Sequence, residues 1–258
     1  MQSRKKLPLI LGAIVLLGVI FSQKIVGFYV DWLWFDVYGF ESVLFTRIGA
    51  QLICGSAFGG LFFLITYFTL KIVYKKTSHL PVVLAEDVRR EIPILDLMAS
   101  NLGPLIFLAP FLLGIATGLV GSERWDLALQ FFNGFPFGET DPIFDQDYSF
   151  YLFSFPFLNF IKNVLWEAWV LIAIGVGLIS FFKRTLYFDR SGFVFLPAAQ
   201  GAFSILFFVA FLLFAGNFYF ARFEMLMEGN AVVNGISYAE DHGRVPALNI
   251  SIILALIG

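Results

Sequence analysis

Long apolar runs, separated by short polar segments, set the organisation of this chain. A helix needs about 20 apolar residues to cross a hydrocarbon core about 30 Å thick. Five runs meet that requirement, over about 7–26, 48–74, 97–120, 165–182 and 197–220. A sixth starts at Pro246 and reaches Gly258. Its 12 residues from Ala247 onward would rise only about 18 Å. The pattern therefore predicts five full spans and an incomplete sixth, and the chain is expected to be a fragment of a longer protein.

The polar segments differ in character. Residues 28–40 are rich in aromatics, and as a helix they place Phe28, Trp32 and Phe35 on one face. Rings of this kind suit either the membrane interface or packing between spans. Leu84 to Glu91, bracketed by Pro81 and Pro93, reads as a short polar helix. Residues 121–164 read as one long ordered loop, pressed against the membrane surface. Within it the run Ser149 to Phe160 is crowded with aromatics, and it is either extended or an interfacial helix broken before Pro156. Pro104 and Pro110 lie in the third run and are expected to bend it.

Composition supports the membrane reading. The chain is 59% hydrophobic and only 14% charged, with 34 phenylalanines among 258 residues. A soluble core could not hide so much apolar surface. The net charge of −2 excludes a basic nucleic-acid surface. Its distribution is more telling. With the N-terminus inside, the inner segments carry 11 of the lysines and arginines and the outer segments carry 6. Acidic residues divide 5 inside and 14 outside. The positive-inside rule favours this orientation. The expected location is the bacterial plasma membrane, with a cytoplasmic N-terminus.

Candidate chemistry is sparse. The middles of the apolar runs hold no Asp, Glu, Lys, Arg or His, which argues against a proton relay inside them. Asp141, Asp145 and Asp147 are candidate calcium ligands, because hard cations take carboxylate oxygens clustered on a loop. Their spacing does not follow the twelve-residue calcium loop, and turn formation at Asp141-Pro142 and Asn133-Gly134 also accounts for such residues. Glu240, Asp241 and His242, with Glu224 and Glu228 upstream, contain metal-ligand types. Three adjacent residues, however, cannot converge on one ion from a regular element. Gly55 and Gly59 form a small-xxx-small pair that permits close helix approach. Cys54 is the single cysteine, so no internal disulfide forms. No nucleophile elbow, phosphate loop or dinucleotide fingerprint is present. No catalytic residue and no cofactor are therefore expected.

Several stretches together resemble a known family. They are Asp31-Trp32-Leu33-Trp34-Phe35 followed by Thr46-Arg47-Ile48-Gly49; Pro136-Phe137-Gly138 with Asp141-Pro142, Phe144 and Asp147; Ser149-Phe150-Tyr151 with Phe153 and Pro156-Phe157; and Gly235-Ile236-Ser237-Tyr238 with Asp241-His242 and Pro246-Ala247-Leu248. In this order the chain resembles the N-terminal membrane part of a bacterial family catalogued only as an uncharacterised protein family. The resemblance implies a large integral membrane protein of about seven spans, with a large extracytoplasmic region after them. It brings no activity and no active-site residues.

The expected fold class is all-α, a polytopic transmembrane helix bundle with ordered aromatic outer loops. The expected function is non-enzymatic, a membrane anchor or platform for an extracytoplasmic region of the envelope. The alternative is a transporter or channel subunit for a neutral or lipidic substrate. The expected partners are the lipid bilayer and envelope proteins reached through the outer loops, with no nucleic acid.

Overall fold

The computed structural model describes residues 22–23, 25–82, 92–189, 192–227 and 235–258. The span expected over 7–26 falls almost wholly outside these, as do the polar helix expected over 84–91 and Glu228. The chain divides into two compact units, Met1–Ile53 and Cys54–Gly258.

In the first unit a helix over residues 25–37, α1, carries the expected aromatic face. Trp34 makes ring contacts with Phe35 and Tyr38. Gly39 ends the helix at φ +71°, a left-handed value that glycine adopts without a Cβ clash. The amides of Gly39 and Phe40 then bond back to the carbonyls of Asp36 and Phe35. Arg47 lies 3.6 Å from Asp31. The next helix, α2 (Glu41–Lys76), begins in this unit and continues into the second.

The second unit is a helix bundle. It contains α3 (Pro93–Ser100), α4 (Leu102–Glu123), α5 (Trp125–Asn133), α6 (Phe155–Phe182), α7 (Pro197–Met227) and α8 (Val245–Ile257). Among the described residues, four helices are long and apolar enough to cross a membrane: Glu41–Lys76, Leu102–Glu123, Phe150–Phe182 and Ala199–Met227. The all-α expectation is met with one addition. Strands β1 (Leu186–Asp189) and β2 (Gly192–Phe195) form an antiparallel hairpin between α6 and α7. The Leu196 amide closes its open end on the Thr185 carbonyl.

Three expected boundaries are corrected. The run expected to span 97–120 breaks at Asn101 into α3 and α4. Pro104 causes this: in a continuous helix it would leave the Ser100 carbonyl without a donor and clash with it. After the break, Pro104 sits in the first turn, where no donor is required. The loop expected over 121–164 shrinks to residues 134–147. Its first part is α5, whose buried Ala128 packs with Cys54 and Phe157. Its last part belongs to the helix running down to Phe182, so that helix begins well before the expected 165. This helix does not break before Pro156. It widens instead into a π-turn at Phe150–Ser154, in which the Phe155 amide reaches the Phe150 carbonyl. The wider turn absorbs the missing donor of Pro156.

The same device recurs ninety residues on. A π-turn at Glu240–Arg244, with the Val245 amide on the Glu240 carbonyl, precedes Pro246 and α8. At this offset Tyr148 matches Tyr238, Leu158 matches Leu248 and Asn159 matches Asn249.

Helix packing follows small residues. Gly55 and Gly59 do lie at a close crossing, against Gly114 and Gly118 of α4. A Cβ on Gly59 would stand 2.6 Å from the Gly114 carbonyl oxygen, so the backbones are in direct contact. Nearer the hairpin, Leu70, Ile106, Ile172, Val176, Ile179 and Leu206 form the apolar core. Trp169 ties α6 to α7 by donating its indole N–H to the Leu206 carbonyl at 2.9 Å.

Candidate functional site

The loop over residues 134–147 sits at the end of the bundle where α5 stops and α6 begins. A loop this polar and aromatic holds one shape only if its backbone groups find partners. Two carboxylates supply them. Asp147 accepts the amides of Phe137 (3.1 Å), Gly138 (2.8 Å) and Ser149 (2.8 Å). Gly138 lies at φ +80°, which lets the chain turn toward that carboxylate. Asp141 is 4% exposed. It accepts the amides of Ile143 (2.9 Å), Phe144 (2.7 Å) and Gln146 (3.0 Å), and the Tyr151 hydroxyl (2.8 Å). A bridge pairs Thr140 with Asp147, and the Tyr148 amide bonds to the Glu139 carbonyl.

These donors set the charge state. Burial works to raise the Asp141 pKa, but hydrogen bonds from Phe144, Tyr151, Gln146 and Ile143 outweigh it, and the net shift is downward. The Ser149 side chain and amide, then the Phe137 and Gly138 amides, hold Asp147 well below the usual carboxylate range. Both groups therefore stay ionised at neutral pH, facing N–H dipoles.

The same geometry separates the calcium candidates. Asp141 and Asp147 spend their oxygens on amide donors. Asp145 is exposed at a left-handed turn of φ +55°. Among the described residues, no group of three His, Cys, Asp or Glu could hold a metal ion. Glu240, Asp241 and His242 do not converge either. Glu240 accepts the Ser237 amide (2.9 Å) and hydroxyl (2.8 Å), a capping box at the helix start. The His242 ring stacks on Tyr238 at 4.0 Å. Glu224 instead pairs with Lys162 at 3.6 Å.

Beneath the loop lies an aromatic cluster. Tyr151, Phe155 and Phe223 are its buried members, with Phe144, Phe150 and Phe220 against them. Phe223, 2% exposed, touches the rings of Phe144, Phe150 and Tyr151. Arg222 lies over Tyr219 at 4.5 Å and donates to Asn249 Oδ1 at 2.9 Å. It thereby links the end of α7 to the start of α8. On the outer side of the loop, Phe135 and Phe137 are exposed and contact each other.

Sequence reasoning missed three participants. The glycines of α4 that meet Gly55 and Gly59 were legible, since Gly114 and Gly118 are themselves a small-xxx-small pair. The role of Phe223 had no local signal, because it is one phenylalanine among many. Glu167 stood at the edge of the run expected over 165–182 and was counted with the outer acidic residues. In the structure it lies inside the Phe150–Phe182 helix, so that span does contain an ionisable group.

Comparison with known proteins agrees with the resemblance. The Uncharacterised protein family (UPF0182) matches over residues 8–258. A UPF0182 protein of Saccharopolyspora erythraea is 29% identical over 264 residues, covering 99% of this chain and 27% of that protein. One of Geobacter sp. (strain M21) is 30% identical over 246 residues, covering 92% and 27%. One of Corynebacterium efficiens is 27% identical over 264 residues, covering 98% and 26%. The chain thus spans about a quarter of the length of the curated relatives it matches. No solved structure matches significantly. The chain belongs to the UPF0182 family.

Proposed function

We propose that this member of the UPF0182 family is the membrane base of a larger envelope protein, and that its braced loop is the platform on which an extracytoplasmic region docks. The reading is non-enzymatic: the helices anchor and orient, and the loop presents a fixed surface. One observation carries it. Two carboxylates collect seven hydrogen bonds within residues 137–151, yet Phe135 is left 64% exposed and Phe137 43% exposed. Apolar rings held rigidly in the open are characteristic of contact surfaces. The orientation, with this loop outside a bacterial plasma membrane and the N-terminus cytoplasmic, draws on the lysine and arginine asymmetry.

The test uses the natural full-length protein in its own membranes, with a photo-crosslinking phenylalanine analogue at Phe135. Crosslinks to peptides of the extracytoplasmic region, or to another envelope protein, are the expected result. The same analogue at Tyr187, in the hairpin at the other end, should give none of them. Crosslinks from Phe135 to lipid alone would defeat the docking reading and make these rings interfacial anchors. The alternative reading, a transporter or channel subunit for a neutral or lipidic substrate, is favoured by a different observation, the side groove containing Glu167.

A further inference from the structure

Between α2, α4 and α6 the bundle has a groove of about 530 Å³, lined by Phe62, Leu113, Ala116, Val120, Glu167 and Ile174 among others. Leu113, Val120 and Ile174 are exposed along it. In a bilayer this flank meets lipid. The depth of the groove can be read along α6 from Lys183, where the helix ends. Ile174 is nine residues above that end, about 14 Å at 1.5 Å per residue. Glu167 is sixteen residues above it, about 24 Å on the same scale. Against a hydrocarbon core of about 30 Å, the groove runs from the midplane to just below the boundary on the loop side. That is the depth of one leaflet. Along α4, Val120 lies one turn short of Arg124, which puts the loop-side end of the groove at the same level.

Among the described residues lining it, Glu167 is the one charged side chain. Among the described residues it has no hydrogen bond and no ion pair; its neighbour along the helix, Lys162, is taken by Glu224. A carboxylate just inside the hydrocarbon is costly without a partner. The partner must reach it from the lipid side, carry positive charge and offer N–H donors. A primary ammonium does both, with three donors.

We infer that the groove is a binding site for a bilayer phospholipid with a primary ammonium headgroup, of the phosphatidylethanolamine type. One acyl chain lies along Leu113, Ala116 and Ile174, and the ammonium donates to the Glu167 carboxylate. Phosphate and glycerol stay at the boundary, level with the end of α4. The inference rests on the membrane-spanning reading and is independent of docking at the loop.

The test is native mass spectrometry of the full-length protein in detergent. It is titrated with phosphatidylethanolamine, phosphatidylcholine and phosphatidylglycerol of identical acyl chains. Phosphatidylcholine keeps the positive charge but has no N–H donor. Phosphatidylethanolamine should bind about tenfold tighter than either, the scale of one charge-assisted hydrogen bond. Glu167→Gln should remove most of that preference, and Ala116→Trp, which fills the groove, should remove the bound lipid altogether. Equal binding of the three lipids to the wild-type protein overturns the proposal without reference to any variant. So does an unchanged preference in Glu167→Gln. Capture of a helix of the same protein, instead of lipid, by a crosslinker at Ala116 also overturns it. A failed crosslink at Phe135 leaves this result untouched.

Discussion

The two helix starts at the loop end of the bundle share a backbone and differ in everything packed around it. Each begins with a cap, at Asp147 or Ser237. Each then widens through a π-turn and meets a proline at the second residue of the following helix. In the first, the turn residues are Phe-Tyr-Leu-Phe-Ser; in the second they are Glu-Asp-His-Gly-Arg. The first buries Tyr151 and Phe155 on Phe223 and ties the preceding loop down through Asp141. The second leaves Tyr238 79% exposed and has no buried residue in its turn. A cap and an X-Pro step thus accompany the widened turn at both starts. Burial decides whether that turn is also locked to its surroundings.

The widest separation between the two should come from their aromatic contacts. Phe223→Ala should destabilise the protein by about 3–5 kcal/mol, the usual cost of truncating a buried ring. Tyr238→Ala should cost less than about 0.5 kcal/mol, as for an exposed side chain. Denaturant unfolding in detergent micelles measures both, and comparable losses would mean that the second start is packed as firmly as the first.

Next in size are the carboxylates. Asp141→Asn removes a charge that receives four donors and points an amide N–H at some of them. A loss of about 2–3 kcal/mol is expected, against about 1 kcal/mol for Glu240→Gln in its capping box. Hydrogen exchange at the Ile143, Phe144 and Gln146 amides should accelerate in Asp141→Asn and stay unchanged in Glu240→Gln. The pH dependence has the same origin. Both Asp141 and Asp147 have folded pKa values below their ordinary ones. Their contribution is therefore complete above about pH 4 and is lost as the pH falls through the lower folded values. Exchange protection at Phe137, Gly138 and Phe144 should fade over that acidic window only, once intrinsic exchange rates are divided out.

The smallest effect tests the turn itself. Pro156→Ala and Pro246→Ala each restore a donor, within about 1 kcal/mol of the parent stability. Returning to α register rotates the residues before the turn by roughly 100°. At the second start no buried side chain among the described turn residues opposes that rotation, so Pro246→Ala should relax to a plain α-helix. At the first it would swing Tyr151 away from Asp141 and Phe223, so Pro156→Ala should keep its π-turn. Backbone structures of the two variants decide the matter. A π-turn that persists in both would make the proline incidental.

Much of this was legible along the chain. The apolar runs marked the long apolar helices of the described residues, since covering about 30 Å of hydrocarbon with hydrogen-bonded backbone leaves few alternatives to a long helix. Gly55 and Gly59 marked a close crossing. Asp141-Pro142 marked a turn, and the turn is there; the turn expected at Asn133-Gly134 is not, since Asn133 ends α5 and Gly134 is extended. The boundaries were less legible. Aromatic residues satisfy a loop, an interface or a helix equally well by composition, so residues 148–164 carried no local sign that they extend the fourth span. Glu167 was hidden by the same uncertainty, because a carboxylate at the edge of an apolar run, counted with the outer face, raises no question about its partner.

Sequence alone, then, determined the helical class, the family and the broad placement of turns, because these follow from hydrogen-bond satisfaction and from a distinctive order of residues. Only the tertiary structure decided which donors fill Asp141 and Asp147, which glycines face Gly55 and Gly59, and which flank of the bundle exposes Glu167. Those are contacts between elements far apart in sequence. They depend on the rotation of each helix about its axis, and one residue of drift in register, about 100°, would exchange a buried face for an exposed one.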